Sequence, residues 1–484
     1  MKKTLCLALA IATAALCGCR GPAVKGADSL SVSDATGIVF NGQSASVKGG
    51  GAAAAGSVVT ISAAGAYVLS GTLSDGQVVV DTGEDAGKVT LFLDGADIAC
   101  SSDAAIYVRQ AKELVISTVK DSENRIVSGQ ERELTAAEDT ASGAAIFSED
   151  DLVFDGEGKL TVIGGINNAV TCKDDLSIKA GTLEITAMNC GLRGSESVTV
   201  EGGTVSVVAM NDGLKSTSAE KAGKGFVSIE GGSLAINARG DGISAESELS
   251  VSGGTLAIVT ERLGDKSCKG IKANTALSIT GGEISVTAAD HAIHSEATVS
   301  VSGGAINAES LEGKAVAAHT DISVTGGTLS LISADDGIET PGSISIGGGE
   351  ISILSGKDGI KAGAKNSGVG TLTVDGGEIS ICAGSDGVEA QDKFTVNGGS
   401  FLALGTSKRM KGFDPGSLQS RIEGQLSGAA GTAMTVADGG GRTIAQAEKP
   451  AKGYNTVLFS SDKLTAGESY TISAGSASLE LTAG

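Results

Sequence analysis

Short runs of four or five residues alternate between aliphatic and small polar side chains along most of this chain. In the stretch 335–356, Ile344 and Ile346 flank a serine, and Ile351 and Ile353 repeat the pattern after three glycines. Alternation with a period of two, bounded by glycine turns, is typical of half-buried strands. The turn at Asp335 leads into a further short strand, so 22 residues are expected to hold three strands.

Paired glycines repeat this unit along the chain. The most frequent separation between pairs is 22 residues, and three units carry an extra loop of six or seven residues, after Lys215, Thr260 and Lys361. Self-similarity at a fixed period is the mark of a repeat architecture. The pairs are Gly202-Gly203, Gly231-Gly232, Gly253-Gly254, Gly281-Gly282, Gly303-Gly304, Gly326-Gly327, Gly348-Gly349, Gly376-Gly377 and Gly398-Gly399.

Three strands per repeat predict an all-β fold, a right-handed parallel β-helix of about 10–12 coils with capping strands at both ends. Successive coils are expected to lie about 4.8 Å apart, the distance between hydrogen-bonded strands. Aliphatic residues such as Ile338, Ile360 and Val388 then stack in an inward column, with small residues two positions on. Cys172 falls in that small column and is predicted to be a core residue.

The N-terminus has the pattern of an export signal. Two lysines precede an apolar stretch that ends in Leu16-Cys17-Gly18-Cys19, which resembles a bacterial lipobox with Cys19 as the lipidated residue. An ordinary secretory signal is the alternative. The predicted organisation is a signal peptide at 1–18, a tether at 19–36, irregular N-terminal coils and cap at 37–140, regular β-helix at 141–405 and a C-terminal β cap at 406–484.

The net charge of −21 disfavours nucleic acid as a partner. The N-terminal export signal and its lipobox-like end predict an exported protein that is lipid-anchored to the bacterial membrane and faces the cell surface or periplasm. With four tyrosines and no tryptophan, the chain has few rings to stack on sugars.

Acidic turns precede the first strand of several repeats. Aligned on neighbouring coils, carboxylates repel each other by about 1 kcal/mol in water and more near a protein surface. A hard cation with oxygen ligands would neutralise them, and Ca²⁺ suits such flexible sites best. Hydrated Asp-Gly turns are the alternative. The candidate calcium ligands are Asp212, Asp241, Asp290, Asp335, Asp336, Asp358 and Asp386.

Two other groups of polar residues are candidate sites. Glu339, Lys361 and Glu389 alternate in charge on consecutive coils and are interpreted as a solvated charge ladder. His291, His294 and His319 fall on two adjacent coils, where a transition-metal site is conceivable. The histidines lack a carboxylate at convincing sequence spacing, so the sequence alone favours a structural role.

Several stretches resemble a known family of secreted bacterial β-helix proteins, the carbohydrate-binding domain-containing proteins, which includes a clostridial protein that binds cellulose and acidic sugars. The resemblance covers about residues 37–480 and implies a pectate-lyase-like β-helix, calcium at acidic turns, and polysaccharide binding without established catalysis. At Asn189-Cys190-Gly191 the chain departs from the family's Asp-Asp-Gly turn. The matching stretches are 65–77, 89–98, 104–108, 145–148, 151–152, 156–160, 173–176, 211–216 and 469–472.

Three functions remain open from the sequence. The first is non-catalytic, calcium-assisted binding of cellulose-like or acidic, pectin-type polysaccharide by a surface lipoprotein. The second is a surface adhesin or structural spacer without a sugar ligand. The third is a polysaccharide lyase, for which Lys269, Lys272 and Lys361 are the basic residues nearest the acidic turns.

Overall fold

The computed structural model describes residues 32–83, 87–129, 143–262, 267–364, 368–407 and 410–484. These residues form an all-β parallel solenoid of about 13 turns. The predicted parallel β-helix is therefore confirmed, with about 13 turns where about 10–12 coils were expected. Cys19, the signal peptide and the first part of the tether lie outside the described residues.

Each regular coil contributes one strand to each of three parallel faces, which we name A, B and C in chain order. Face A follows the acidic turn and has the shortest strands, mostly of three residues. Its strands are Val58–Ile61, Gln77–Asp81, Ile106–Gln110, Ile146–Ser148, Val170–Cys172, Leu192–Gly194, Leu214–Ser216, Ile243–Ala245, Ile271–Ala273, Ile293–Ser295, Val316–Ala318, Ile338–Thr340, Ile360–Ala362 and Val388–Ala390.

Faces B and C pair coil to coil in the same way. Face B contains Glu113–Thr118, Leu152–Gly156, Asp175–Ile178, Ser197–Val200, Phe226–Ile229, Leu249–Val251, Ala276–Ile279, Thr298–Val301, Ile322–Val324, Ile344–Ile346, Leu372–Val374 and Phe394–Val396. Face C contains Glu123–Ser128, Lys159–Gly164, Thr182–Ala187, Thr204–Ala209, Ser233–Ala238, Thr255–Thr260, Glu283–Ala288, Ala305–Ser310, Thr328–Ser333, Glu350–Ser355, Glu378–Ala383 and Ser400–Gly405.

Antiparallel strands close both ends. At the N-terminal end, a 3-10 turn at Val32–Asp34 leads into Thr36–Gly42, which pairs with Ala45–Lys48, and Ala52–Ala55 pairs with the first strand of face A. The long strands Gly65–Leu73 and Lys88–Cys100 run on from face B into face C.

At the C-terminal end, Tyr454–Ser461 pairs antiparallel with Ser400–Gly405, the last strand of face C. It leaves no continuing parallel edge at that position, which limits end-to-end pairing between molecules. The strand Arg421–Gly428 adds to Tyr454–Ser461, and a separate antiparallel sheet follows. That sheet contains Met434–Asp438, Thr443–Ala447, Ser469–Ala474 and Ala477–Thr482.

One hydrophobic core runs through the stacked coils. On face A, Ile338 pairs with Ile360 and Ile360 with Val388, and all three side chains are fully buried. Each such aliphatic side chain contributes about 1.5–3 kcal/mol on burial. Cys172 is also fully buried, which confirms its predicted place in the core.

The paired glycines meet two separate requirements of the turn between faces B and C. Gly304 has a φ of +88°, which favours glycine. A side chain at Gly303 would collide with the carbonyl oxygen of Thr280 in the preceding coil. One glycine therefore supplies the backbone conformation and the other the close approach of coils.

Candidate functional site

In each regular coil, the residue two positions before the first residue of the face A strand lies at the edge of that face. We call these residues the turn column. It contains both acidic runs predicted from the sequence, separated by coils with other residues at this position. In order, the turn column is Asn168, Cys190, Asp212, Asp241, Lys269, His291, Lys314, Asp336, Asp358 and Asp386.

Carboxylates of the turn column bind the backbone of the next coil. Asp336 Oδ1 accepts the N–H of Asp358 at 2.9 Å, and Asp358 Oδ1 accepts the N–H of Asp386 at 2.9 Å. Asp212 and Asp241 act in the same way, each at 2.8 Å, on the next residues of the column. These aspartates therefore have a structural role that needs no ion, because a buried N–H without an acceptor is costly.

Other residues perform the same task with a different acceptor. Asn168 Oδ1 accepts the N–H of Cys190 at 3.0 Å, and His291 Nδ1 accepts the N–H of Lys314 at 3.0 Å. A lysine ammonium group carries only hydrogen-bond donors and cannot accept a backbone N–H. Lys269 and Lys314 therefore interrupt this ladder of side-chain to backbone hydrogen bonds.

The glycine after each turn-column aspartate is required for space. At Gly337, for example, the backbone is not in the left-handed region. A side chain at this position would nevertheless overlap Ile353 of face C and the carbonyl oxygen of Gly359. The Asp-Gly pairs are thus more than the flexible turn dipeptides that the alternative sequence interpretation assumed.

Lysines neutralise the second oxygen of two buried aspartates. Lys361 Nζ lies 3.2 Å from Asp336 Oδ2, and Lys215 Nζ lies 2.7 Å from Asp212 Oδ2. Burial raises the pKa of Asp336, and it raises the pKa of Asp241 to about 6, with the nearby Asp212 charge adding to the effect. The aspartates are therefore held in a desolvated environment in which uncompensated charge is disfavoured.

The remaining predicted calcium ligands lie one residue earlier in the turn. Asp290 is 3.7 Å from Lys269 Nζ and 3.4 Å from His291 Nδ1, while Asp335 pairs with Lys357 at 2.8 Å. The structure thus brings Asp290 and Asp335 close to the turn column but gives each a cationic or imidazole neighbour.

The place that best suits a hard cation is the end of the second acidic run. Asp386 Oδ1 is buried without a hydrogen-bond partner, although the Asp386 carboxyl group also hydrogen-bonds Ser407. Burial, followed by hydrogen-bonding contact with the Asp358 carboxyl, raises the pKa of Glu389. Two carboxyl groups in contact beside an unpartnered oxygen fit Ca²⁺, which accepts oxygen ligands in flexible geometry.

The outward column of face A differs from the solvated charge ladder expected for Glu339, Lys361 and Glu389. The side chains of Glu339 and Lys361 are 23 % and 25 % exposed, and Glu339 pairs with Lys314 at 2.6 Å. These charges therefore form a partly buried network with the turn column.

A groove of about 390 Å³ lies over this network. Its walls include two lysines, one glutamate and all three histidines of the chain. Pockets with a few convergent polar groups are the usual place for small-ligand contacts. The polar groups that line this groove are His291, His294, Lys314, His319, Glu339 and Lys361.

The histidines form a cluster with a carboxylate that sequence reasoning missed. Glu296 Oε1 lies 3.0 Å from His294 Nε2, and Glu296 Oε2 lies 2.8 Å from His319 Nδ1. Burial lowers the pKa of His294 and of His291 to about 4, so both imidazoles are neutral at pH 7. Glu296 follows His294 by two residues and comes directly after the face A strand Ile293–Ser295, which was the available sequence signal.

Comparison with known proteins identifies the family. A family model described as carbohydrate-binding domain-containing protein matches residues 55–314 and 310–482. The chain belongs to this family. The resemblance stated from the sequence is thereby confirmed, and carbohydrate is the ligand class that the family supports.

A relative from Acetivibrio thermocellus, itself described as a carbohydrate-binding domain-containing protein, is 32 % identical over 189 residues. The match covers 39 % of this chain and 66 % of the relative, just under two thirds of its length. A solved structure of a polysaccharide lyase-like protein from C. thermocellum, a gadolinium derivative, is 32 % identical and has a TM-score of 0.46. That match covers 51 % of this chain and 96 % of the solved one, and at this TM-score it does not bear on function.

Face A of this family member also carries an aromatic pair that sequence reasoning overlooked. Tyr107 and Phe147 lie on neighbouring coils with ring centroids 5.6 Å apart. Phe147 is buried, whereas Tyr107 is partly exposed with the Arg109 guanidinium 5.3 Å from its ring centroid. The alternation Ile106-Tyr107-Val108 was the signal that could have placed Tyr107 on the outer side.

Proposed function

We propose that this protein binds polysaccharide along face A without cleaving it, and that acidic, pectin-type glycans are its preferred ligands. The observation that carries the proposal is the groove on face A, with Lys314 and Lys361 in its walls, in a chain of the carbohydrate-binding family. A lysine ammonium can pair with a sugar carboxylate in spite of the net charge of −21.

The distribution of charge on the solenoid supports face A as the binding surface. Its outward strand positions include Arg193, Lys215, Lys272 and Lys361. The corresponding positions of face B are serines and threonines over ten coils. An anionic chain running parallel to the solenoid axis would meet repeated cations on face A.

Calcium assistance is part of the proposal. Asp358, Asp386 and Glu389 would hold the ion, and it would supply a positive charge next to the groove for a sugar carboxylate. Asp358 would bind the ion through the oxygen that does not accept the N–H of Asp386, whereas Asp212 and Asp336 each have both a backbone and a lysine partner.

The test compares two double variants of equal charge. Lys314→Gln with Lys361→Gln removes two cations from the groove, and Lys88→Gln with Lys159→Gln removes two cations outside it. All four lysines form ion pairs with carboxylates, so the two double variants differ in the location of the lost charges. We expect polygalacturonate affinity, measured by calorimetry, to fall roughly tenfold in the groove variant and to stay unchanged in the control. Equal affinity for all three proteins would reject face A as the site.

Adding salt tests the lysine–carboxylate contacts, and adding a chelator tests the calcium bridge. Added salt should weaken binding because lysine–carboxylate contacts are screened. Loss of binding with chelator would support the calcium bridge, and chelator-insensitive binding would remove it. Failure to bind any glycan on an array in calcium buffer would favour the adhesin or spacer, and release of unsaturated oligosaccharides would indicate a lyase.

We also propose that Cys19 carries a lipid that anchors the rod to the bacterial membrane, facing the surface or periplasm. The lipobox-like Leu16-Cys17-Gly18-Cys19 supports this. Metabolic labelling with a fatty acid should mark the wild-type protein and not Cys19→Ala. Labelling of both would reject Cys19 as the acceptor.

A further inference from the structure

All three histidines of the 484-residue chain lie in the groove wall on face A. His294 and Glu296 belong to one coil and His319 to the next. The side-chain ligand atoms of these three residues lie within 4.8 Å of one another, with Glu296 between the two imidazoles. We propose that His294, Glu296 and His319 bind one divalent transition-metal ion, with Zn²⁺ as the best match.

The donor set selects this class of ion. Two imidazole nitrogens and one carboxylate oxygen suit Zn²⁺, Ni²⁺ or Cu²⁺, whereas Ca²⁺ takes oxygen ligands almost exclusively. The site is therefore distinct in chemistry from the calcium proposed at Asp358, Asp386 and Glu389. It also does not depend on whether the protein binds polysaccharide.

The present contacts are close to the edges of a metal coordination shell. The N···O distances are 3.0 Å from His294 to Glu296 and 2.8 Å from His319 to Glu296. Bonds of about 2.0–2.1 Å in tetrahedral geometry place neighbouring ligand atoms about 3.3 Å apart. These two contacts use different oxygens of Glu296, and the three ligand atoms lie within 4.8 Å of one another, so an ion would have to draw them together by up to about 1.5 Å. The proton that His294 Nε2 now directs at Glu296 would move to Nδ1 of the same ring, which has no hydrogen-bond partner to lose.

The two histidine ligands differ in exposure. The His294 side chain is 5 % exposed and fixed in a face A strand, whereas the His319 side chain is 59 % exposed. Because one ligand is buried and the other is exposed across the coil boundary, an ion can reach the site from the groove. Three protein ligands leave a fourth position for water or for a ligand in the groove.

His291 is the neighbour that the geometry excludes. Its Nδ1 accepts the backbone N–H of Lys314 at 3.0 Å, so its Nε2 carries the proton in the neutral ring. Binding a metal through Nε2 would require the opposite tautomer and would break that hydrogen bond. Asparagine at the equivalent position, Asn168, accepts the same kind of backbone N–H, so His291→Asn is a matched control.

The test is a calorimetric titration of Zn²⁺ into the full chain without a polyhistidine tag, after chelator treatment and in the presence of excess Ca²⁺. We expect one ion bound per chain in the wild type and in His291→Asn. His294→Ala, Glu296→Gln and His319→Ala should each weaken affinity by at least about 100-fold.

A thermal scan with and without Zn²⁺ gives an independent readout. An ion that joins two coils in the folded state and binds the unfolded chain less well raises the Tm. His319→Ala removes an exposed side chain, so its metal-free Tm should match the wild type while the Zn²⁺-induced rise disappears. Absence of Zn²⁺ binding by the wild type, or equal Zn²⁺ affinity in wild type, His294→Ala and His319→Ala, would overturn the proposal.

Discussion

Faces A and B share one backbone plan and differ in what they show to solvent. In both faces, inward aliphatic residues pair coil to coil and are buried. The outward column of face B is Ser177, Thr199, Ser228, Ser250, Ser278, Ser300, Ser323, Ser345, Thr373 and Thr395. The outward column of face A is Thr171, Arg193, Lys215, Ser244, Lys272, His294, Ala317, Glu339, Lys361 and Glu389.

Face B demonstrates that hydroxyl side chains are sufficient outside a stacked coil. Small β-compatible residues cover the strand without unpaired charge, and neighbouring hydroxyls come within hydrogen-bond distance, as between Ser228 and Ser250 at 3.2 Å. The lysines, histidines and glutamates of face A are therefore not needed for stacking as such. The turn column differs again, because its buried aspartates do bind the backbone.

The largest expected effect follows from breaking the turn column. Asp336→Ala leaves the buried N–H of Asp358 without its acceptor and Lys361 without one of its carboxylates. We expect a loss of about 3 kcal/mol in the free energy of unfolding, measured by urea denaturation. Ser323→Ala, which truncates a face B hydroxyl, should stay within about 0.5 kcal/mol of wild type.

Asp336→Asn separates the two roles of this carboxylate. The amide oxygen can still accept the N–H of Asp358, as Asn168 does for Cys190, but the charge opposite Lys361 is lost. Its cost should therefore be well below that of alanine. Equal destabilisation by Asp336→Asn and Asp336→Ala would show that the ion pair, rather than the backbone hydrogen bond, dominates.

A second prediction uses pH to test the charge of the turn column. The pKa of Asp241 rises from 3.8 to about 6 in the folded protein, chiefly through burial. Between these two values the folded state holds a proton that the unfolded state has released, so this carboxyl's contribution to stability falls as pH rises through the window. Asp241→Asn should thus stabilise the protein above pH 6, by about 1–3 kcal/mol, and confer little gain at pH 4.

The measurement is the urea midpoint of wild type and Asp241→Asn across this pH range. Asparagine keeps an acceptor for the N–H of Lys269, which Asp241 Oδ1 now binds at 2.8 Å. A gain of the same size at pH 4 and pH 8 would contradict the assigned ionisation, because only the ionised aspartate carries the penalty.

The fold was predictable from the sequence because its determinants are local and repeated. The alternation around Ile344 and Ile351 identifies strands, and glycine pairs such as Gly303-Gly304 identify the turn where coils approach closely. The number of coils was less accessible, since strands such as Gly65–Leu73 and Lys88–Cys100 merge two faces and do not carry the 22-residue signature.

The candidate site was predictable only in outline, because it depends on side chains from neighbouring coils. Aligning the repeats brought Asp336, Asp358 and Asp386 together correctly. The repeat does not reveal that each Oδ1 binds the next backbone N–H. It also gave no reason to choose Glu296 among many acidic residues, because its meeting with His319 crosses a coil boundary and depends on side-chain direction.

The smallest expected effect tests whether face A charges serve binding rather than folding. Lys272→Ser gives a face A position the residue that its neighbour Ser244 already has in the same register. Because a hydroxyl is accommodated there, we expect less than about 0.5 kcal/mol change in the free energy of unfolding. One cation fewer should still weaken polygalacturonate binding about two- to fivefold. A change in stability without a change in affinity would instead place Lys272 with the structural residues, and face A would then differ from face B for reasons internal to the fold.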